Sequence, residues 1–193
     1  MKQVTRPVPS HFGIYTMDLK RMAEFYIQVF GLTVTDEGQP AHFKHDLVFL
    51  SASKDQHHQL VLASGRPADA VFSNVMQISF MVPSIQYLRD IWKKAEVLGA
   101  KNIRGINHGN TLSVYFSDPE NNTVESYIDM PFYVSQPYGE PLDLSKSDAE
   151  ILRETEEKAR QNPSFKLLPE WQALFEAHQY VLPSLGGVKN SVI

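Results

Sequence analysis

The sequence predicts an α+β fold built from two tandem βαβββ modules that form a half-open barrel, with a helical C-terminal tail. Three observations predict it. The order strand, helix, three strands occurs twice. The two occurrences align at a single offset of 66 residues. The composition is globular: 193 residues, 42% hydrophobic and 21% charged. Two similar helices could arise by chance in an ordinary α+β domain, but the repeated element order argues for duplication.

The elements follow in order. His11 to Thr16 reads as a strand. Asp18 caps a helix in which Leu19, Met22, Tyr26 and Val29 share one face, and Gly31 stands where a helix end needs a left-handed residue. Leu32 to Thr35, His42 to Ala52 and His58 to Ala63 read as three strands, with polar turn chemistry at Lys54-Asp55-Gln56. Gly65 to Asp69 reads as a linker. The pattern then restarts with a strand at Gln77 to Val82. Ser84 caps a helix carrying Ile85, Leu88, Ile91, Ala95 and Leu98 on one face, and Gly99 ends it. Strands follow at Ala100 to Ile103, Leu112 to Phe116 and Thr123 to Ile128, with a loop at Gly105 to Gly109 and a turn at Asp118 to Asn122.

At the common offset His11 falls on Gln77, Met22 on Leu88, Phe25 on Ile91, Tyr26 on Trp92, Phe49 on Tyr115 and Gln59 on Glu125. Residues 1–144 therefore read as one paired-module domain, with modules at about 8–65 and 74–130, and residues 145–193 as a C-terminal extension. In the extension, Asp148 to Gln161 is a charged helix with Ile151, Leu152, Thr155 and Ala159 as a thin apolar stripe. Pro169-Glu170-Trp171 opens a shorter helix, with Leu174 and Phe175 available for packing. It reads as a structural appendage or an oligomer contact, and alternatively as a lid. Val181 to Ile193 reads as a loose terminus.

Composition excludes several function classes. A net charge of −4 without a basic cluster argues against nucleic acid. With no cysteine there is no disulfide, thiolate metal site or cysteine nucleophile. No apolar run spans a bilayer, and the first residues lack the apolar stretch of a signal peptide, so a cytoplasmic protein with no membrane partner is expected.

Three candidate ligands converge if the two modules pair. The first and last strands of each unit line one concave surface, which brings His11, Gln77 and Glu125 towards a common centre. An imidazole, an amide oxygen and a carboxylate suit a divalent first-row ion such as Fe2+, Mn2+, Ni2+ or Zn2+. Three protein groups leave positions open for a chelating substrate.

The segment Asn107 to Tyr127, NHGNTLSVYFSDPENNTVESY, resembles the closing segment of type I extradiol dioxygenases, which cleave catechols such as biphenyl-2,3-diol beside the diol. The motif is a His-Gly, a Tyr, Asp-Pro, and a Glu ten residues after the Tyr. Asp-Pro-x-Asn-x-x-Glu alone marks only the wider vicinal oxygen chelate superfamily, with glyoxalase I and bleomycin-binding proteins. Residues 8 to 130 resemble the catalytic half, and the overall size resembles the small one-domain members.

The resemblance implies an oxidoreductase that takes a small aromatic diol and dioxygen and uses a divalent metal, Fe2+ first. His11 and Glu125 resemble its iron ligands. Tyr115 resembles a tyrosine that hydrogen-bonds a substrate or intermediate oxygen. His108 resembles the loop histidine that contacts the substrate hydroxylate. The run Gln56-His57-His58-Gln59-Leu60-Val61-Leu62 resembles the stretch holding the acid–base histidine, placed at His58, which would take a catechol proton and stabilise charge developing on dioxygen. Gln77 departs from the pattern, standing where the second iron-binding histidine is expected.

One register conflict follows, because the repeat pairs Gln59, not His58, with Glu125, and alternating side chains cannot both face the bowl without a bulge. Phe12, Phe80, Phe116 and Tyr127 are candidates for an aromatic lining that would favour a flat ligand. Surface positions are expected for His42, His45 and His178, and turn chemistry for Asp118-Pro119. The rival readings are a glyoxalase- or isomerase-type metal enzyme and a non-catalytic binding protein on the same scaffold. A homo-oligomer is also compatible, since edge strands often mediate dimers.

Overall fold

The structure is a computed structural model and describes residues 8–177. His178 and the 181–193 terminus lie outside the described residues. The first module comprises β1 (Phe12–Thr16), α1 (Leu19–Phe30), β2 (Thr33–Gly38), β3 (Leu47–Ser51) and β4 (Leu60–Ser64). The second comprises β5 (Ile78–Met81), α2 (Ile85–Val97), β6 (Lys101–Asn107), β7 (Thr111–Ser117) and β8 (Thr123–Asp129). The sheet orders, β1-β4-β3-β2 and β10-β6-β7-β8-β5, repeat one topology, with β10 (Glu140–Pro141) added to the second. In both, the first strand pairs in parallel with the last, and the helix carries the chain from the first strand across to the second. The chain continues through β9 (Phe132–Tyr133), α3 (Asp148–Gln161), β11 (Lys166–Leu167) and α4 (Leu168–Ala177). Among the described residues no helix is long and apolar enough to cross a membrane.

The helix ends follow the local chemistry. The Asp18 side chain accepts from the Arg21 N–H, and Gly31 ends α1 with φ 70°. Ser84 caps α2 by accepting from the Tyr87 N–H. Ser147 and Glu150 form a reciprocal capping box on α3.

Strand boundaries moved where turns intervene. The third strand is shorter than its apolar run, because Phe43 N–H bonds back to the Pro40 carbonyl and turns the chain before Leu47. The strand starting at Lys101 is longer than expected and includes Gly105: the positive φ of Asn102, 56°, absorbs an irregular register, after which pairing with β7 resumes.

Both helices pack on the same side of the sheets and share one core. Phe30 stacks on Phe80 at 3.9 Å between ring centroids, and Phe25 and Phe30 also meet Phe116. The buried rings of Phe25, Phe30 and Phe116 each contribute roughly 2–3 kcal/mol by removal from water. Helix α1 therefore fastens the second module's sheet as well as its own. The expected aromatic lining changes accordingly. Phe80 and Phe116 share strand parity with Ile78 and Val114, so they face the helices and not the open side. Phe12 shares parity with buried Ile14 and also lies on the helix side. Tyr127, in step with Glu125, remains on the open face.

A second fastening joins the modules at their ends. The Glu120 carboxylate, in the β7–β8 turn, accepts from the backbone N–H groups of Met17 and Asp18 at 2.8–2.9 Å. Arg66, at the start of the linker, lies 3.7 Å from it, and these two side chains are only 9% and 5% exposed. Arg66 also donates to the Glu120 carbonyl and to Asn122 Oδ1. Asp118 is indeed turn chemistry, accepting from the Glu120 and Asn122 N–H groups. It additionally accepts from the buried Tyr26 hydroxyl of α1 at 2.9 Å. Burial, then the neighbouring Asp118 carboxylate, raises the Tyr26 pKa well above that of a free phenol.

Candidate functional site

Alternation along β5, β7 and β8 places Ser79, Ser113, Tyr115 and Glu125 on the face away from the helices. The first three, with Gln77, converge on the Glu125 carboxylate. Oε1 accepts from Tyr115 Oη at 2.6 Å and Ser113 Oγ at 2.8 Å. Oε2 accepts from Ser79 Oγ at 2.7 Å and Gln77 Nε2 at 2.8 Å. Glu125 is 7% exposed, so these donors replace the water it would otherwise hold. Burial first, then the hydrogen bond and charge of Glu125, raises the Tyr115 pKa, so this group remains a neutral phenol and a donor. His108 Nε2 lies 3.1 Å from Tyr115 Oη, and its Nδ1 lies 2.7 Å from the Tyr138 carbonyl oxygen. Arg104, opposite Tyr115 on β6, sets its guanidinium 5.2 Å from that ring's centroid.

The first module supplies a separate group of imidazoles. His58 stands with its ring 4.3 Å from that of His11 and 5.1 Å from Phe49. The register conflict is resolved by the loop before β4. Gln59 spends its side chain locally, accepting from Ala52 N–H at 2.9 Å and donating to Gln56 Oε1 at 2.7 Å. His58, one residue before, turns to His11 instead. His57 bridges His58 Nδ1 at 2.9 Å and the Asp36 carboxylate at 2.7 Å. Burial, then the proximity of His11 and His57, holds the His58 pKa below that of a free imidazole.

The expected site residues thus fall into two contact groups. His108, Tyr115, Glu125 and Gln77 form one connected line, and His11 with His58 forms the other. Among the described residues no three His, Asp or Glu side chains gather closely enough to hold an ion unaided. The expected ligand set therefore depends on the Gln77 amide oxygen as its third donor. In donor type the set fits a divalent cation: Gln77 gives its nitrogen to Glu125, leaving its oxygen for another partner. Ser79 and Ser113 were missed as site residues. The signal was available, since each lies two residues from a singled-out residue, Gln77 or Tyr115, on the same strand face.

The sequence pattern of the Glyoxalase/Bleomycin resistance protein/Dioxygenase superfamily matches residues 9–126. The chain belongs to that superfamily. Two biphenyl-2,3-diol 1,2-dioxygenases of Rhodococcus globerulus are distant relatives: number 3 is 30% identical over 128 residues and number 2 is 26% identical over 126. Each alignment takes in 64% of this chain, and 64% and 63% of the respective relative, so the chain spans just under two thirds of their length. A glyoxylase/bleomycin resistance protein/dioxygenase domain from Frankia sp. EAN1pec shares the fold, with TM-score 0.56 and 15% identity, over 65% of this chain and all of that one. Members of the superfamily bind divalent metals, and most are enzymes.

Proposed function

We propose that the protein is a metal-dependent extradiol ring-cleavage dioxygenase acting on a catechol-type aromatic. The observation that carries the reading is the line of polar contacts from Glu125 through Tyr115 to His108, with His58 against His11 on the other module. The dioxygenase relatives supply the substrate class: a small aromatic diol together with dioxygen.

His11, Gln77 and Glu125 would hold the ion, Fe2+ first and Mn2+, Ni2+ or Zn2+ as alternatives. A bound divalent ion supplies Lewis-acid chelation of two vicinal oxygens and an open position for dioxygen. The remaining work falls to side chains. His58, held neutral by its surroundings, takes the proton of a diol hydroxyl. Tyr115, held as a phenol, donates to charge developing on an oxygen near it. His108 orients the bound diol through Nε2. Phe49, between the His57 and His58 rings on the open face, offers an apolar wall to a flat ring.

One observation favours a second reading. All four donors on Glu125 come from protein, two per oxygen, so an ion must displace at least one of them. A binding protein that uses the same face without a metal would keep that cage intact. One experiment separates the two. Purified protein reconstituted with Fe2+ under argon is exposed to air with 2,3-dihydroxybiphenyl or catechol, and yellow ring-fission product is followed while metal content is measured. Stoichiometric metal with yellow product supports the dioxygenase. Colourless mixtures across several catechols remove it, and retained affinity for a diol without metal establishes the binding protein.

A further inference from the structure

The turn that carries His108 is held by the chain beyond the second module. Residues 107–111 lead from β6 into β7, and residues 134–142 wrap around them. The Gln136 amide nitrogen donates to the His108 carbonyl at 2.8 Å and to Asn110 Oδ1 at 2.7 Å. Gly109 has φ 74°, and a Cβ built there would lie 2.3 Å from Val134 Cγ2, so glycine meets both the backbone and the space requirement. Buried Asn107 is clamped at both ends of its amide. Oδ1 accepts from the Gly109 N–H at 2.8 Å, and Nδ2 donates to Thr155 Oγ1 of α3 at 2.9 Å. Thr155 is 2% exposed, so this bond has no competition from water.

The imidazole is tied by the same segment. Its Nδ1 lies 2.7 Å from the Tyr138 carbonyl oxygen. A carbonyl oxygen only accepts, so Nδ1 carries the hydrogen of the neutral ring, and bare Nε2 faces Tyr115 Oη, where it competes with Glu125 Oε1 for the single phenol hydrogen. Tyr138 is itself located by its N–H on Gln136 Oε1 at 3.0 Å, and the adjoining strand by the ion pair of Glu140 with Lys158 of α3.

We infer that the chain beyond the second module, the segment after β8 together with α3, is a positioning element of the site: through Gln136, the Tyr138 carbonyl and Thr155, it sets the tautomer and the aim of His108. The inference rests on the reading of His108 as a group that touches substrate. It gives this part of the chain a task beyond that of a covering appendage, since its bonds hold the His108 turn directly.

The test uses the full chain, metal-free and labelled with 15N at histidine, at a pH where imidazole is neutral. In the wild type, Nδ1 of His108 is expected to carry the hydrogen. Thr155→Val keeps the shape but removes the hydroxyl, Thr155→Ser restores it, and Gln136→Met removes the surface clamp. Thr155→Val and Gln136→Met are each expected to mix the two His108 tautomers. With the reconstituted enzyme they lower kcat about tenfold, the scale of a small misplacement, while KM stays within about twofold. Thr155→Ser keeps the wild-type spectrum and rate. A bare Nδ1 in the wild type, or an unchanged His108 spectrum in both disabled variants, overturns the inference. If no diol is cleaved even by the wild type, the functional reading fails, and the nitrogen spectrum still decides the positioning.

Discussion

The open faces of the two modules descend from one pattern and have been filled in opposite ways. At the 66-residue offset, Gly13 corresponds to Ser79, Leu47 to Ser113, Phe49 to Tyr115 and Val61 to Tyr127. In every one of these pairs the second module carries the hydroxyl and the first carries none. At these positions the first module's face is apolar beside its imidazoles, with Tyr15 as a hydroxyl further along β1, whereas the second is a cage of donors around one buried carboxylate. The backbone repeats but the chemistry does not. A site that must hold charge on one side and a flat apolar ligand on the other needs this asymmetry, and duplication followed by divergence of four inward positions is enough to supply it.

The most severe way to break the comparison is Glu125→Gln. It removes the anion that four donors surround, and ring-cleavage turnover should fall by about 100-fold or more. Retention of most of the activity would mean that the second face does not carry the chemistry. Next comes the joint between modules. Arg66→Met leaves Glu120 buried without its cation, and the unfolding free energy from urea titration should drop by about 3 kcal/mol. A loss near zero would show the modules to be held by the shared aromatic core alone.

Gln77→His sharpens the comparison in the other direction, placing a basic ligand where the amide now stands. Chelator competition should show Fe2+ or Zn2+ held about tenfold more tightly, and unchanged affinity would remove Gln77 from the ligand set. The smallest effect concerns acid. The folded His58 pKa lies below that of a free imidazole, so the folded chain binds fewer protons than the unfolded one as pH falls. The stability associated with neutral His58 is full above about pH 6.5 and is lost progressively below it. His58→Asn should flatten that loss in a plot of unfolding free energy against pH, and an identical slope would refute the shift.

The fold was legible because both helices carry their own caps, Asp18 and Ser84, and because the apolar stripes recur at the same spacing. The carboxylate cage was half legible. Glu125 and Tyr115 stand out through their spacing, and two-residue steps from Gln77 and Tyr115 put Ser79 and Ser113 on the same strand faces, but their meeting at Glu125 follows only from the register of β5, β7 and β8. The choice between His58 and Gln59 could not be made from alternation, because it turns on whether Gln59 bonds to its own loop. Among the candidates for the aromatic lining, Phe12, Phe80 and Phe116 turn to the helices for a different reason: aromatic character does not report strand parity, whereas the buried neighbours Ile14, Ile78 and Val114 do. The Glu120 clasp and the Asn107–Thr155 bond join residues 102–103 and 48 positions apart, and nothing local announces either.

The clasp has a consequence for how the chain may be cut. Beyond Arg66, the peptide running to Val75 makes local hydrogen bonds, from the Ala70 N–H to the Pro67 carbonyl and from the Val75 N–H to Ser73 Oγ, and it leaves Val71 and Phe72 in water. Covalent continuity there does little that Glu120, Arg66 and the Phe30–Phe80 stack do not already do. Nicking this stretch, or rewiring the gene so that the halves are made as two polypeptides, should still yield fragments that find each other and dock. The tether is then a matter of stoichiometry, keeping one copy of each half together.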